Sequence, residues 1–235
     1  MQNMNTDKRK GLLIVIEGAD GAGKATHTEL LIEALIRDGH KVMKQDFPRY
    51  YTSVFGKLIG EALRGDHGDF LKMSPYLSSL PYALDRMSAS KEMKEALEEG
   101  TIIISNRFTP SNIAFQAAKL PKGKKRTDFI KFLEHIEYTE GGVPKPDLVV
   151  YLNVPTEIAQ KLIIEKGVQK YMNKKGTHDQ YEKDKEYQRE VARVYMDLAK
   201  SRKDWVSVEL SKKGKMLSKE ENHKKVLGVV KKYLR

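Results

Sequence analysis

The sequence predicts an α/β fold, a five-stranded parallel sheet covered by helices on both faces. Three observations lead there. Short apolar runs alternate with helical patterns along the whole chain, the arrangement that buries a parallel sheet between two helical layers. The first apolar run opens into a glycine-rich loop and then a helix. At 235 residues the chain is long enough for one such domain with a sizeable core.

Each element follows from its local pattern. Leu12–Ile16 is five apolar residues in a row, a short buried strand, and Lys24–Arg37 has the spacing of an amphipathic helix. Gly39 closes that helix and Lys41–Asp46 is a second strand. Ser53–Arg64 places Val54, Leu58, Ile59 and Ala62 at helical spacing. Pro75–Glu99 reads as one long helix ended by Gly100, ahead of a third buried strand over Thr101–Ser105. Helical patterns return over Ser111–Lys119 and Thr127–Thr139. The turn Gly141–Pro146 feeds a fourth strand, Asp147–Asn153, and helix Thr156–Glu165 follows. Gly167–His178 is basic and lacks an apolar period. Gln180–Arg202 is helical, Trp205–Leu210 is the fifth strand and Lys219–Leu234 is a closing helix. The polar Met1–Lys10 is expected to be a flexible lead into a single domain over 11–235.

Composition narrows the function classes. With 40% apolar and 32% charged residues the chain is expected to be soluble and globular, and the absence of cysteine excludes disulfides, zinc–thiolate sites and thiol catalysis. No segment is long enough to span a membrane, so a cytoplasmic location is expected. The net charge of +11 is spread over separate clusters, Lys122–Arg126, Lys170–Lys175, Lys212–Lys215 and Lys224–Lys232, with no interleaved aromatic stripe. That pattern fits solvated faces and the handling of polyanionic nucleotides better than nucleic-acid binding.

The chemistry begins in Glu17-Gly-Ala-Asp-Gly-Ala-Gly-Lys24. A strand, a GxxxxGK loop and a helix are the parts of a phosphate-binding loop, which makes this a three-layer P-loop fold. Gly18, Gly21 and Gly23 let the backbone turn and approach an anion, and the loop amides and helix start point at it. The stretch Gly18, Ala19, Asp20, Gly21, Ala22, Gly23, Lys24, Ala25 and Thr26 is therefore the expected nucleotide-phosphate site, with Lys24 on the β- and γ-phosphates. The usual hydroxyl after the lysine is replaced by Ala25, and Thr26 comes one residue late. In open parallel sheets ligands sit beyond the carboxyl ends of the strands. That position holds Asp20, then Phe47-Pro48-Arg49, then Asn106-Arg107-Phe108, with Leu84-Asp85-Arg86 between the last two. Three arginines near a phosphate loop suit bidentate capture of a second phosphate.

The order and spacing of further pieces carry a resemblance. Phe47-Pro-Arg-Tyr50, Gly65-Asp-His-Gly-Asp69, Ala83-Leu-Asp-Arg86, Asn106-Arg-Phe108 with Ser111-Asn112, Pro144-Lys-Pro-Asp147 and Asp179-Gln-Tyr-Glu182 resemble the thymidylate kinases. Together they are most similar to an actinobacterial branch of those P-loop nucleoside monophosphate kinases. The resemblance spans roughly Gly11 to Leu234 and implies transfer of phosphate from ATP to dTMP, giving dTDP and ADP, with Mg²⁺ as cofactor. It implies that Asp20 reads the acceptor's 3′-hydroxyl and helps hold the metal, and that Arg49 and Arg107 clamp the acceptor phosphate as catalytic residues beside Lys24. Arg86 would contact the thymine carbonyl, Tyr82 stack on the base, Asn112 bond the pyrimidine edge and Phe115 crowd C2′ against a ribose hydroxyl. Phe47 and Tyr181 join the dTMP site, Glu182 joins Asp20 at the metal, and a lid at about 167–180 brings Lys174 and Lys175 over ATP. A homodimer is implied, for which the face of Val54, Leu58 and Ala62 is a candidate; neither nucleic acid nor membrane is an expected partner.

Three departures stand out. The family's common acidic residue before the arginine is Asn106, the loop hydroxyl is Ala25, and the lid offers lysines where many relatives have arginines. These motivate two alternatives, a kinase preferring another monophosphate such as dUMP or UMP, and a catalytically weakened nucleotide-binding regulator. From sequence, Phe108 and Phe115 fit core packing as well as a site, Tyr82 and Tyr181 fit helix faces, and Glu182 fits an exposed partner for Lys185.

Overall fold

The computed structural model describes residues 10–166 and 184–234. The expected lid, with Lys174, Lys175, Tyr181 and Glu182, and the expected N-terminal lead over residues 1–9 lie outside them.

Five parallel strands form the sheet in the order β2-β3-β1-β4-β5: β1 (Leu13–Glu17), β2 (Val42–Asp46), β3 (Ile102–Asn106), β4 (Leu148–Asn153) and β5 (Trp205–Glu209). Successive strand residues point to opposite faces, so a continuous apolar run feeds two cores at once. Leu13 and Val15 join one core with Ile103, Val149 and Tyr151. Ile14 and Ile16 join the other with Ile104, Leu148 and Val150. Helices α1 (Lys24–Arg37), α7 (Thr156–Lys166) and α9 (Lys219–Tyr233) cover the second face. The first face carries α2 (Val54–Arg64), α3 (Pro75–Met87), α4 (Ser90–Glu98), α5 (Thr109–Ala117), α6 (Lys124–Glu134) and α8 (Lys185–Ser201).

Two expectations need correction, and one element is additional. The single helix over 75–99 is two, broken at Ser88 and Ala89, so that α3 packs on α2 and α5 while α4 packs on β3. No glycine or proline marks that break; tertiary packing overrides a locally continuous pattern. The helix expected over 127–139 begins at Lys124 and widens after Glu134 into a π-helical turn, His135–Glu140. A two-stranded hairpin of β6 (Ser211–Lys212) and β7 (Lys215–Met216) follows β5 and carries no hydrophobic alternation that would reveal it.

Two further local features set the sheet's carboxyl edge. Ser53 caps α2 through Gly56 N–H, and Gly56 lies so near Arg49 that a Cβ there would sit 2.2 Å from its carbonyl oxygen. Only glycine lets α2 press against the loop after β2. Glu17 carries out the corresponding task for α5. Phe108, its N-cap, offers no capping side chain, and the buried Glu17 carboxylate instead accepts the N–H groups of Phe108 (2.9 Å) and Ser111 (3.0 Å). A carboxylate against a helix start also meets a favourable dipole.

Candidate active site

The loop after β1 curls around its own lysine. Gly23, at φ 81°, occupies the left-handed region as N-cap of α1, and no side chain caps that helix. Its first-turn N–H groups have no intrahelical acceptor and face outward as an anion site. Lys24 is 7% exposed and donates to the carbonyls of Gly18 (2.9 Å) and Ala19 (2.8 Å). Ala25 and Thr26 are exposed on the first turn.

Asp20 links this loop to the next element. Its carboxylate pairs with the Arg107 guanidinium, lies 3.8 Å from Lys24 Nζ and reaches Gln188 of α8 at 3.5 Å. Burial works against the Asp20 charge, but Arg107 and Lys24 outweigh it and hold the carboxyl below its usual range. Burial likewise opposes the charge on Arg107, and Asp20 overrides it, so the guanidinium stays protonated. Arg107 has φ 65°, one of two non-glycine residues with positive φ among the described residues. Such a conformation is costly and persists only where the surroundings enforce it. Here Ile16 O accepts from Arg107 N–H (3.1 Å), Ser105 Oγ donates to Arg107 O (2.6 Å), and Arg107 Nη1 donates to Ser111 Oγ (3.1 Å). Ser111 and Tyr195 both donate to Glu17 Oε2, at 2.6 and 2.8 Å. Burial, the largest influence, pushes the Glu17 carboxyl up despite these donors.

Beside the loop opens a cleft whose empty space, open solvent included, is about 510 Å³. Asp20 and Arg107 stand at the loop side of its lining. The loop after β2 contributes Phe47, Pro48 and Tyr50, α3 contributes Tyr82 and Arg86, and α5 contributes Ser111, Asn112 and Phe115. The Arg107 guanidinium lies 5.2 Å from the centre of the Phe115 ring, a cation–π contact, and Phe115 meets Tyr187 edge-on. Phe108 lines the cavity but is fully buried, packed edge-on against Phe47, so it serves core and site together.

Of the expected acceptor-site residues among the described ones, Asp20, Phe47, Tyr82, Arg86, Arg107, Asn112 and Phe115 come together in this cavity, and Arg49 does not. Its fork is occupied by α3. Arg49 Nε donates to Asp85 Oδ1 (3.0 Å), Nη2 to Asp85 O (2.8 Å) and to Ser88 Oγ, and Arg49 N–H to Asp85 Oδ2 (2.8 Å). Arg86 is more deeply held. It is 2% exposed and forms a two-pronged ion pair with Glu137 of the π-helical turn, both bonds 2.6 Å.

Sequence reasoning gave no role to Tyr50, Asp85, Ser111, Glu137 or Gln188. Asp85 stands inside the quoted Ala83-Leu-Asp-Arg86 piece, where an acid beside a functional arginine was a usable signal. Glu137 had none, because only the π-helical turn carries it inward to full burial. Among the described residues no cluster of three acidic, histidine or cysteine side chains suits a metal.

Comparison with known proteins follows the same lines. The model of the thymidylate kinase family matches residues 16–222. A thymidylate kinase of Mycobacterium tuberculosis is 37% identical over 192 residues, covering 80% of this chain and 86% of the relative. The human thymidylate kinase is 32% identical over 153 residues, 65% of this chain and 66% of the relative. A solved thymidylate kinase structure from Candida albicans superposes with a TM-score of 0.67 at 22% identity, covering 96% of this chain and 91% of that one, which speaks to the fold. The chain belongs to the thymidylate kinase family.

Proposed function

We infer that the cavity is the dTMP site of this enzyme and that the Gly18–Thr26 loop beside it takes ATP. The chain is a phosphotransferase that moves the γ-phosphate of ATP to dTMP, giving dTDP and ADP. One observation supports the division of sites best: Arg107, paired with Asp20 at the lysine loop, lines the same cavity as Arg86 and Asn112. A phosphate at the Arg107 end therefore faces the loop, while a base at the other end meets polar groups.

Phosphoryl transfer depends on alignment and on neutralising charge between the two nucleotides. Lys24 and the loop amides hold the donor. Arg107 holds the acceptor phosphate, which is already ionised and needs no base. Arg49 acts from behind, fixing the Phe47–Tyr50 loop to α3 through Asp85. Tyr82 offers a ring to the base, and Phe115 crowds the sugar. Lys174, Lys175 and Tyr181, outside the described residues, are assigned to the nucleotides by family resemblance alone.

Mg²⁺ suits the oxygen donors here. Asp20 supplies a carboxylate next to the loop, and Asn106, where relatives are acidic, keeps a buried Oδ1 with no partner among the described residues. Magnesium on a nucleotide needs only one or two carboxylates besides phosphate and water. Asp20 would hold it, with Glu182 as the second carboxylate in this reading, and the ion would supply positive charge against the phosphates. A homodimer fits the exposed apolar residues Val54, Leu58, Leu77 and Leu84 on α2 and α3, whereas Ala62 is buried and takes no part. No helix among the described residues is long and apolar enough to cross a membrane, and a cytoplasmic enzyme with no nucleic-acid partner is the reading adopted.

ADP formation measured with dTMP, dUMP, UMP and no acceptor tests this. dTMP should be used best, dUMP within about 10- to 200-fold because one methyl discriminates weakly, and UMP worse than dUMP. Equal use of dUMP and UMP would remove Phe115 from the sugar site. ADP formation indifferent to acceptor would remove the cavity from the reaction.

A further inference from the structure

We propose that Glu137 sets which pyrimidines this enzyme accepts, by fixing the amide of Asn112 so that its oxygen, and not its nitrogen, meets the base. The inference rests on the cavity being the dTMP site.

Glu137 is fully buried at the back of the cavity and behaves as an acceptor on every side. Its Oε1 accepts from Arg86 Nη2 (2.6 Å) and Asn112 Nδ2 (3.0 Å), and its Oε2 accepts from Arg86 Nε (2.6 Å) and Thr109 Oγ1 (2.6 Å). Four donors fill the four lone-pair sites of a carboxylate. With both oxygens already accepting from the other three donors, the group of Asn112 that turns towards Glu137 is the NH₂. The second contact of that NH₂, the carbonyl of Ser79 at 3.0 Å, is again an acceptor and enforces the same orientation. Asn112 is 3% exposed and lines the cavity, and its Oδ1 has no partner among the described residues. A buried carbonyl oxygen left in that state awaits a donor.

The same acid spends Nε and Nη2 of Arg86, leaving Nη1 as the nitrogen of that fork with no hydrogen bond to any described residue. At the cavity's base end the two lining residues thus hold one unsatisfied buried acceptor, Asn112 Oδ1, and one donor left over, Arg86 Nη1. Thymine and uracil carry the complement, an N3–H donor beside a C4 carbonyl. Cytosine carries the reverse, a bare N3 beside a C4 amino group, and would set lone pair against lone pair and N–H against N–H. Unpaired buried polar groups are what lets a site reject a near-isostere strongly.

Glu137→Gln tests this. The variant can turn an NH₂ towards Asn112 and donate to its carbonyl oxygen, releasing the asparagine NH₂ to present N–H to a base. The expected result is a ratio of kcat/KM for dTMP over dCMP lowered about tenfold or more, the size of one inverted hydrogen bond. Glu137→Asp, which remains an acceptor only, should raise KM for both nucleotides and keep the ratio near wild type. If both variants lose activity with the ratio unchanged, Glu137 is a structural support and the proposal fails. Should Glu137→Gln not fold alone, the double variant Arg86→Met, Glu137→Gln leaves no charge unpaired. Its ratio is read against Arg86→Met, Glu137→Leu, which can offer Asn112 nothing, and equal ratios would again overturn the proposal. Asn112→Ala separates the two layers. An unchanged KM for dTMP there would remove the base-reading site itself, whereas a raised KM with an unmoved Glu137→Gln ratio would defeat only the role given to Glu137.

Discussion

The phosphate loop and the acceptor cavity lie side by side at one sheet edge, yet they are built on different principles. Between Gly18 and Thr26 almost everything is backbone, a left-handed Gly23, an uncapped helix start and one lysine folded onto the loop carbonyls. The cavity is the opposite. Its polar side chains come from separated stretches with acids behind them: Glu137 holds Arg86 and Asn112, Glu17 holds the start of α5, and Asp85, through Arg49, holds the loop after β2. A site made of amides tolerates little variation in chain path but much in side chains. A site made of side chains depends on buried charges that themselves never touch the ligand.

The largest effect should come from the one side chain the loop cannot replace. Lys24→Ala should lower kcat/KM by about 10³-fold, in the range lost when a preorganised charge-stabilising group is removed, with little change in stability. Steady-state kinetics at saturating dTMP checks this. A loss under tenfold would mean that the amides and metal hold the donor without the lysine, and the contrast between the two regions would be deeper than drawn here.

A smaller effect should follow from disturbing the cavity from behind. Asp85→Ala leaves Arg49 Nε and the Arg49 N–H without their acceptor, and breaking a buried pair on one side costs about 3–5 kcal/mol. Arg49 is partly exposed, so the expected loss in chemical denaturation is nearer 2 kcal/mol, with the KM for dTMP raised about tenfold and that for ATP nearly unchanged. Arg49→Met should produce the same KM pattern, since both variants free the Phe47–Tyr50 loop. If Arg49→Met instead lowers kcat with KM unchanged, Arg49 itself reaches the transferred phosphate, as the sequence comparison first implied.

This contrast also explains what the sequence made legible. The loop was readable because its information is local: an apolar strand, three glycines and a lysine at fixed spacing. β1, β3 and β4 were readable for the same reason, each being a short apolar run, while β2 and β5 are half polar and were placed by the helices and turns around them. Arg107 was reachable from its place just beyond the third strand, but Asn112 and Phe115 only through the order of family motifs, because nothing in their own neighbourhoods separates them from core or surface residues. Glu137 was not reachable at all. Its burial depends on a π-helical turn, and its meaning on partners 25 to 51 residues away. The split between α3 and α4 was invisible because Ser88 and Ala89 are compatible with helix and only packing decides against it.

The smallest expected effect belongs to the loop side and concerns stability. His27 sits on the first turns of α1, 3% exposed, with Nδ1 unpartnered among the described residues. Burial lowers its pKa to about 4, helped by the charges of His223 and Lys219. In the unfolded chain it titrates near the ordinary 6.5. Between those two values the unfolded state binds more protons, so stability falls as pH drops from 6.5 towards 4 and is flat in this group above 6.5. The loss from His27 between pH 6.5 and 5 should be about 1–2 kcal/mol. His27→Leu removes a proton site and an unpaired nitrogen together, so urea midpoints for wild type and variant should diverge across this window. Parallel curves would assign the acid sensitivity to the carboxylates of the cavity instead, making the side-chain-built region the fragile one at low pH as well.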